Sequence, residues 1–157
     1  MEIRVFREGD APALRAVFSS AIHGTASAYY TQEQCDVWAS ADHDAEAWAQ
    51  RMRGIAPFVA GEGGQIVGYA DVQDDGYIDH IFVAATAGRR GVGSALMRRI
   101  HEAAAARGLT VLHAAVSHAA RPFFARWGFA IEQEQTVEVR GVAFVNARMR
   151  KELGCGA

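Results

Sequence analysis

Alternation opens the chain. "EIRVF" (2–6) puts apolar and polar side chains in turn and predicts a strand. The period then lengthens. Leu14, Val17, Phe18, Ala21 and Ile22 recur at helical spacing, with Asp10 ahead of them as N-cap and Pro12 in the first turn. "HGTASAYY" breaks that helix. Thr31 and Gln34 form a capping-box pair for a second helix carrying Cys35, Val37 and Trp38. After "ADHD", Asp44 caps a short helix with Trp48 and Met52 on its apolar face.

Strand-length runs follow. "APFVAG" (56–61) and "IVGYADVQ" (66–73) flank the turn "EGGQ", and "YIDHIFV" (77–83) follows the tight turn "DDG". Val92, Ala95, Leu96, Ile100 and Ala104 mark a helix that Gly108 ends. "LTVLHAAV" (109–116) reads as a buried strand. Ser117 or His118 then opens a helix running to Trp127, and a hairpin over 136–149 turns at Arg140-Gly141. The predicted fold class is α/β, with a mixed, mostly antiparallel sheet flanked by helices in one domain, residues 1–153, and a short tail, 154–157.

Composition narrows the classes. The chain of 157 residues has a net charge of −2, whereas a dedicated nucleic-acid binder needs a basic surplus, so no nucleic-acid partner is expected. No eighteen-residue apolar run occurs, so no membrane association is expected. Cys35 and Cys155 make neither a disulfide framework nor a metal-binding spacing, which fits a cytoplasmic protein without a metal.

The chemistry concentrates at "AGRRGVGSAL" (87–96), between a strand and a helix. Main-chain N–H groups at a helix start, with Arg89 and Arg90 beside them, suit an anion. A plain turn with solvated arginines is the alternative. The dinucleotide fingerprint fails because Leu96 holds its third glycine position. The Walker pattern fails because Ser94 holds its lysine position.

"FVAATAGRRGVGSALM" resembles the acyl-CoA loop of the GCN5-related N-acetyltransferases (GNAT), whose pattern is [Q/R]-x-x-G-x-[G/A]. Gly91 and Gly93 match it, and Gly88 stands where Gln or Arg is usual. "SHAARPFFARWGF" is similar to the same family's N-x-x-A-x-x-x-Y-x-x-x-G-F segment, with Ser117 in the Asn place and Phe124 in the Tyr place. In finer detail "GYIDHIFV", "SHAARPFF" and "VEVRGVAFVNARM" resemble a YafP-like bacterial branch. The resemblance implies splayed central strands, acetyl-CoA as acyl donor and direct transfer to an amine in a ternary complex. It assigns the pantetheine arm to the main chain of Ile81, Phe82 and Val83. The diphosphate falls to the loop, Gly88, Arg89, Arg90, Gly91, Val92, Gly93 and Ser94, and Ser117 and Phe124 would lie along the arm.

Transfer needs a base for the ammonium and an acid for the leaving thiolate. Phe124 has no proton to give, which leaves three alternatives: Tyr29, Tyr30 or Tyr77 stands in, CoA leaves unaided, or the chain is a non-catalytic acyl-CoA sensor. Alternation sets Tyr77, Asp79 and Ile81 on one face and Ile78, His80 and Phe82 on the other. Asp79 is the expected base, although a carboxylate near about 3.9 is a weak one at neutral pH. An ion pair with an arginine is the alternative for Asp79, and a satisfied core position is the alternative for His80. A bulge would reverse the facing and bring His80 forward as base. His23, Tyr29, Tyr30, Gln34 and Trp38 are the expected acceptor residues, for a small-molecule amine or a protein amine. The closing hairpin leaves an edge on which a homodimer could form.

Overall fold

The computed structural model describes residues 1–88 and 90–154. Arg89 and Cys155, both singled out above, lie outside the described residues. The N-terminal alternation forms β1 (Glu2–Val5), and the helical period forms α1 (Ala11–Ser20). The predicted break after α1 is a π-turn over Ala21–Thr25 followed by a 3-10 turn over Ala26–Ala28. α2 (Gln32–Trp38) begins with the complete Thr31–Gln34 capping box. α3 (Ala45–Ile55) begins on Asp44, whose carboxylate accepts from the N–H of Glu46 and of Ala47.

Asp10 corrects one expectation. It precedes α1, but its backbone is already helical and its carboxylate makes no cap. It receives Arg4 at 2.8 and 3.0 Å and the N–H of Arg7 at 2.8 Å instead. A bidentate charged pair outcompetes a cap where the backbone does not take the extended N-cap geometry. The hydrogen bond from Arg4 is the main reason the Asp10 carboxyl titrates below its usual range.

β2 (Phe58–Glu62), β3 (Gln65–Ala70) and β4 (Ile81–Val83) join β1 in an antiparallel sheet of order β1-β2-β3-β4. β5 (Val111–Ser117), β6 (Ala130–Val139) and β7 (Val142–Glu152) form a second sheet of order β5-β7-β6. The final hairpin is longer than predicted and turns at Arg140-Gly141, both at positive φ. β6 is its outer edge. α4 (Val92–Ala106) buries Leu96, Met97 and Ile100 beneath the first sheet and against β5, while α1 and α3 bury Leu14, Phe18, Trp48 and Met52 on the opposite face. Each fully buried aliphatic side chain contributes roughly 1.5–3 kcal/mol. α5 (Arg121–Arg126) starts later than predicted. Ser117 ends β5 and caps nothing, because residues 118–120 form a turn before the helix. Among the described residues no helix is long and apolar enough to cross a membrane.

The main departure lies at 77–83, which is not one strand. Tyr77 makes a single parallel bridge to His113 of β5: the N–H of Ile78 donates to the His113 carbonyl at 2.8 Å, and the His113 N–H donates to Gly76 at 3.0 Å. Only Ile81–Val83 then pairs, and it pairs with β3. Between these two attachments the chain bulges. Ile78 packs with Ile81 and Val83 on the α4 side, whereas His80 and Phe82 face Phe18 of α1. Residues 78 and 81 share a face, so one extra residue has been inserted and the expected alternation fails.

The bulge is held by Asp71, where the return strand leaves the sheet three residues before its predicted end. Its Oδ1 accepts the N–H of Asp79 at 2.9 Å and of His80 at 2.6 Å, and Gln73 donates to its other oxygen. Asp71 is fully buried. Burial raises its pKa to about 6, against the opposing pull of the His80 N–H and the Gln73 amide.

Gly76 is the pivot, at φ +88, and a Cβ there would lie 2.1 Å from the Val111 carbonyl oxygen. Gly76→Ala should cost about 2 kcal/mol or more, read as a Tm drop of roughly 4–8 °C, because neither the backbone angle nor the contact has slack. An unchanged Tm would mean that the two sheets are not in contact there. The folded state binds a proton at Asp71 more tightly than the unfolded chain does. That stabilisation is complete below the ordinary aspartate value of 3.8 and is lost as the pH rises through about 6. Asp71→Asn keeps an acceptor for both N–H groups and removes the titration. Urea unfolding from pH 4 to 7 should show the variant gaining on the parent as the pH rises, and parallel curves would refute this.

Candidate active site

Two strands that start together and then part leave a cleft. β5 runs parallel to the segment at 76–78, but the paired strand β4 belongs to the other sheet. In antiparallel pairing, alternate residues bond to the partner. The His80 carbonyl accepts the N–H of Asp71, just past β3, and the N–H of Ala84 donates to Val67 of β3, so the same register turns the N–H and C=O of Ile81 and Val83 away from β3, toward β5. The resulting cavity has a volume of about 430 Å³. Ile81 and Phe82 line one wall, Ala114–Ser117 with Ala120 and Phe124 the other, and Val137, Val139, Phe144 and Asn146 of the final hairpin close over it.

At the narrow end stand Asp79 and His80. The Asp79 carboxylate receives Arg51 of α3 at 3.2 and 3.4 Å. The arginine pairing anticipated as an alternative therefore exists, yet Asp79 still faces the cavity, with a quarter of its side chain exposed. His80 is buried, with Trp48 and Phe18 each 6.0 Å from its ring. Its Nδ1 lies 3.0 Å from the Tyr69 hydroxyl. Tyr69 is fully buried, and desolvation pushes its pKa well above 10, so its O–H is the donor and Nδ1 the acceptor. The ring proton then sits on Nε2, 3.9 Å from the Asp79 carboxylate. Burial lowers the His80 pKa to about 4, with Asp79 pulling the other way, so the imidazole is neutral at physiological pH.

Beyond the open end of β4, the 3-10 turn Ala85–Ala87 leads to the glycine stretch. Gly91 takes the left-handed conformation, φ +81, directly before α4, with no atom within 4 Å of where a Cβ would sit. The first-turn N–H groups of α4 lack intrahelical acceptors, as at any helix start. Arg90 is exposed and reaches Glu62 of β2 at 3.4 Å.

The predicted residues sort by place. Asp79, His80, Ile81, Phe82, Ser117, Phe124, Tyr30 and Trp38 all line the cavity. Tyr77 stands outside it, 5.2 Å from the His113 ring, and Tyr29 points to solvent. His23 donates from Nε2 to the Ala39 carbonyl, and Gln34 is committed to its cap and to the Ala143 carbonyl. Of the tyrosines weighed as acids, Tyr30 alone borders the cavity. Its hydroxyl accepts the His118 N–H at 2.8 Å and keeps its own proton free to donate. Arg15 and Arg51, which the sequence did not single out, also line the cavity, as does Trp48, expected only on an apolar helix face. The i, i+3 spacing of Arg15 with Phe18 and of Arg51 with Trp48 was visible, but not the strand those helix faces would meet. Asp71 carried a plainer signal, a lone carboxylate in the apolar run "GYADV".

The model described as an acetyltransferase (GNAT) domain matches residues 26–153. The chain is 36% identical over 150 residues to the uncharacterized N-acetyltransferase YafP of Escherichia coli (strain K12), covering 96% of this chain and 95% of that protein. A GCN5-related N-acetyltransferase structure from Rhodopseudomonas palustris superposes with a TM-score of 0.92 at 32% identity, covering 97% and 95% of the two chains. A putative acetyltransferase from Salmonella typhimurium, solved with its cofactor acetyl-CoA, shares the fold at a TM-score of 0.71 and 20% identity, covering 100% and 96%. The two sheets part as the family resemblance implied, and on these matches the chain belongs to the GNAT acetyltransferase family.

Proposed function

We propose that the chain transfers the acetyl group of acetyl-CoA directly to the primary amine of a small molecule, with donor and acceptor bound together. The observation that carries this is the parting of β4 from β5, which leaves main-chain polar groups facing a cavity with a carboxylate at its narrow end. A walled cavity of about 430 Å³ suits a small acceptor beside the thioester arm.

The residues present fit acetyl-CoA. Ile81 and Val83 would hold the arm through their turned-out N–H and C=O groups, as an added strand does. The N–H groups of Gly91, Val92, Gly93 and Ser94 would hold the diphosphate, helped by the helix dipole. Gly88 and Arg90 flank that grip, and Ser117 and Phe124 line the opposing wall. Bound acetyl-CoA supplies an activated thioester carbonyl.

Asp79 takes the acceptor's proton, directly or through a water. Arg51 holds that carboxylate in place. His80, fixed by Tyr69, presents its Nε2 proton to charge developing on the carbonyl oxygen. Tyr30 supplies the proton for the departing thiolate, since Phe124 has none.

Release of free thiol from acetyl-CoA, followed across a panel of primary amines, tests the reading, and amine-independent release with every acceptor would refute it. Asp79→Asn should lower kcat by about 100-fold and leave CoA affinity, measured by calorimetry, unchanged. Unaltered turnover would remove Asp79 from the mechanism. Gly91→Glu should keep its circular dichroism spectrum and lose CoA binding, through charge repulsion and a blocked left-handed residue. Retained affinity would move the diphosphate elsewhere.

A further inference from the structure

We infer that the acceptor carries a carboxylate as well as its amine, and that Arg15 holds that carboxylate. The inference rests on the transferase reading above and narrows its substrate class.

Two helices each bring a pair of residues one turn apart to the narrow end of the cavity. α1 contributes Arg15 and Phe18, and α3 contributes Trp48 and Arg51. They face Asp79 and His80. Arg51 is paired with Asp79 at 3.2 Å. Among the described residues, no carboxylate lies within 4 Å of Arg15. The Arg15 guanidinium lies 5.1 Å from the Phe18 ring centre and 5.0 Å from that of Trp48. One of its five N–H groups has a described acceptor, the Ser40 carbonyl at 2.7 Å. Desolvation lowers its pKa, yet a guanidinium stays charged.

Charge balance decides the class of ligand. Two arginines and one aspartate line this end, and His80 is neutral. Arg51 is offset by Asp79, and the Asp71 carboxylate lies behind the Asp79 and His80 N–H groups, so Arg15 is the cavity arginine left without a carboxylate among the described residues. An amine without an anion satisfies Asp79 alone and leaves Arg15 unpaired. An amino carboxylate arrives with no net charge, sets its ammonium beside Asp79 and offers two oxygens to the planar fork of Arg15. The two rings beside Arg15 hold its guanidinium in one place, which reduces the ordering that pairing requires.

A purely structural Arg15, clipping α1 to α3 through the two rings, would affect stability alone. Calorimetry on the full chain saturated with CoA separates the two roles, using probes that lack an amine. 3-Phenylpropionate is compared with 3-phenylpropan-1-ol, and hexanoate with hexan-1-ol. The parent should bind each acid at least tenfold more tightly than its alcohol. Arg15→Met should abolish that preference while keeping CoA affinity, and Arg15→Lys should restore part of it. No preference in the parent, including no heat from either partner, overturns the inference, as does a preference that survives in Arg15→Met. The same follows if succinyl-CoA binds more tightly than acetyl-CoA in an Arg15-dependent way, which would assign the arginine to the acyl donor. Failure of the parent to bind CoA at all refutes the transferase reading instead.

Discussion

A buried carboxylate that collects two adjacent main-chain N–H groups governs the centre of this molecule. Asp71 receives Asp79 and His80 at the point where a regular strand would have continued. Two successive N–H groups cannot converge on one oxygen in an extended strand, because successive groups point to opposite sides. The bulge follows from that geometry. Below it the chain is bound to β5, and above it to β3, so the two sheets share one bridge and then separate. Main-chain donors are what make a buried charge tolerable there, since an uncompensated carboxylate would cost several kcal/mol.

The site inherits its form from this defect. The inserted residue places Asp79 and His80 together at the narrow end instead of on opposite faces. The separation frees Ile81 and Val83, whose polar groups a closed sheet would have consumed. α1 and α3 then supply the walls of the narrow end. Arg51 of α3 pairs with Asp79, and Phe18 and Trp48 flank the Arg15 guanidinium. His80 shows how position sets chemistry: burial and a tyrosine donor make it a neutral N–H donor, which is why the proposed base is the carboxylate.

Much of the fold was legible. The capping box at Thr31, the cap at Asp44, the α4 face and the Arg140-Gly141 turn depend on residues a few positions apart, and all appear as expected. Asp10 did not follow its local signal, because Arg4 on the neighbouring strand offered a stronger partner. The segment 77–83 misled more seriously. Its apolar alternation is that of a single strand, and nothing within it indicates two partners. Asp71, six residues before it, carries that information, and it acts only through the folded chain.

By itself, the amino-acid order determined most element types, the glycine turn before α4 and the family motifs, because these arise from short-range geometry and residue type. Tertiary structure alone decided which strands part, that Asp79 and His80 share one end of the cavity, and that Arg15 stands there with no carboxylate partner among the described residues. Those facts depend on side chains far apart in the chain competing for the same donors and the same space, and such competition is resolved only when the elements pack.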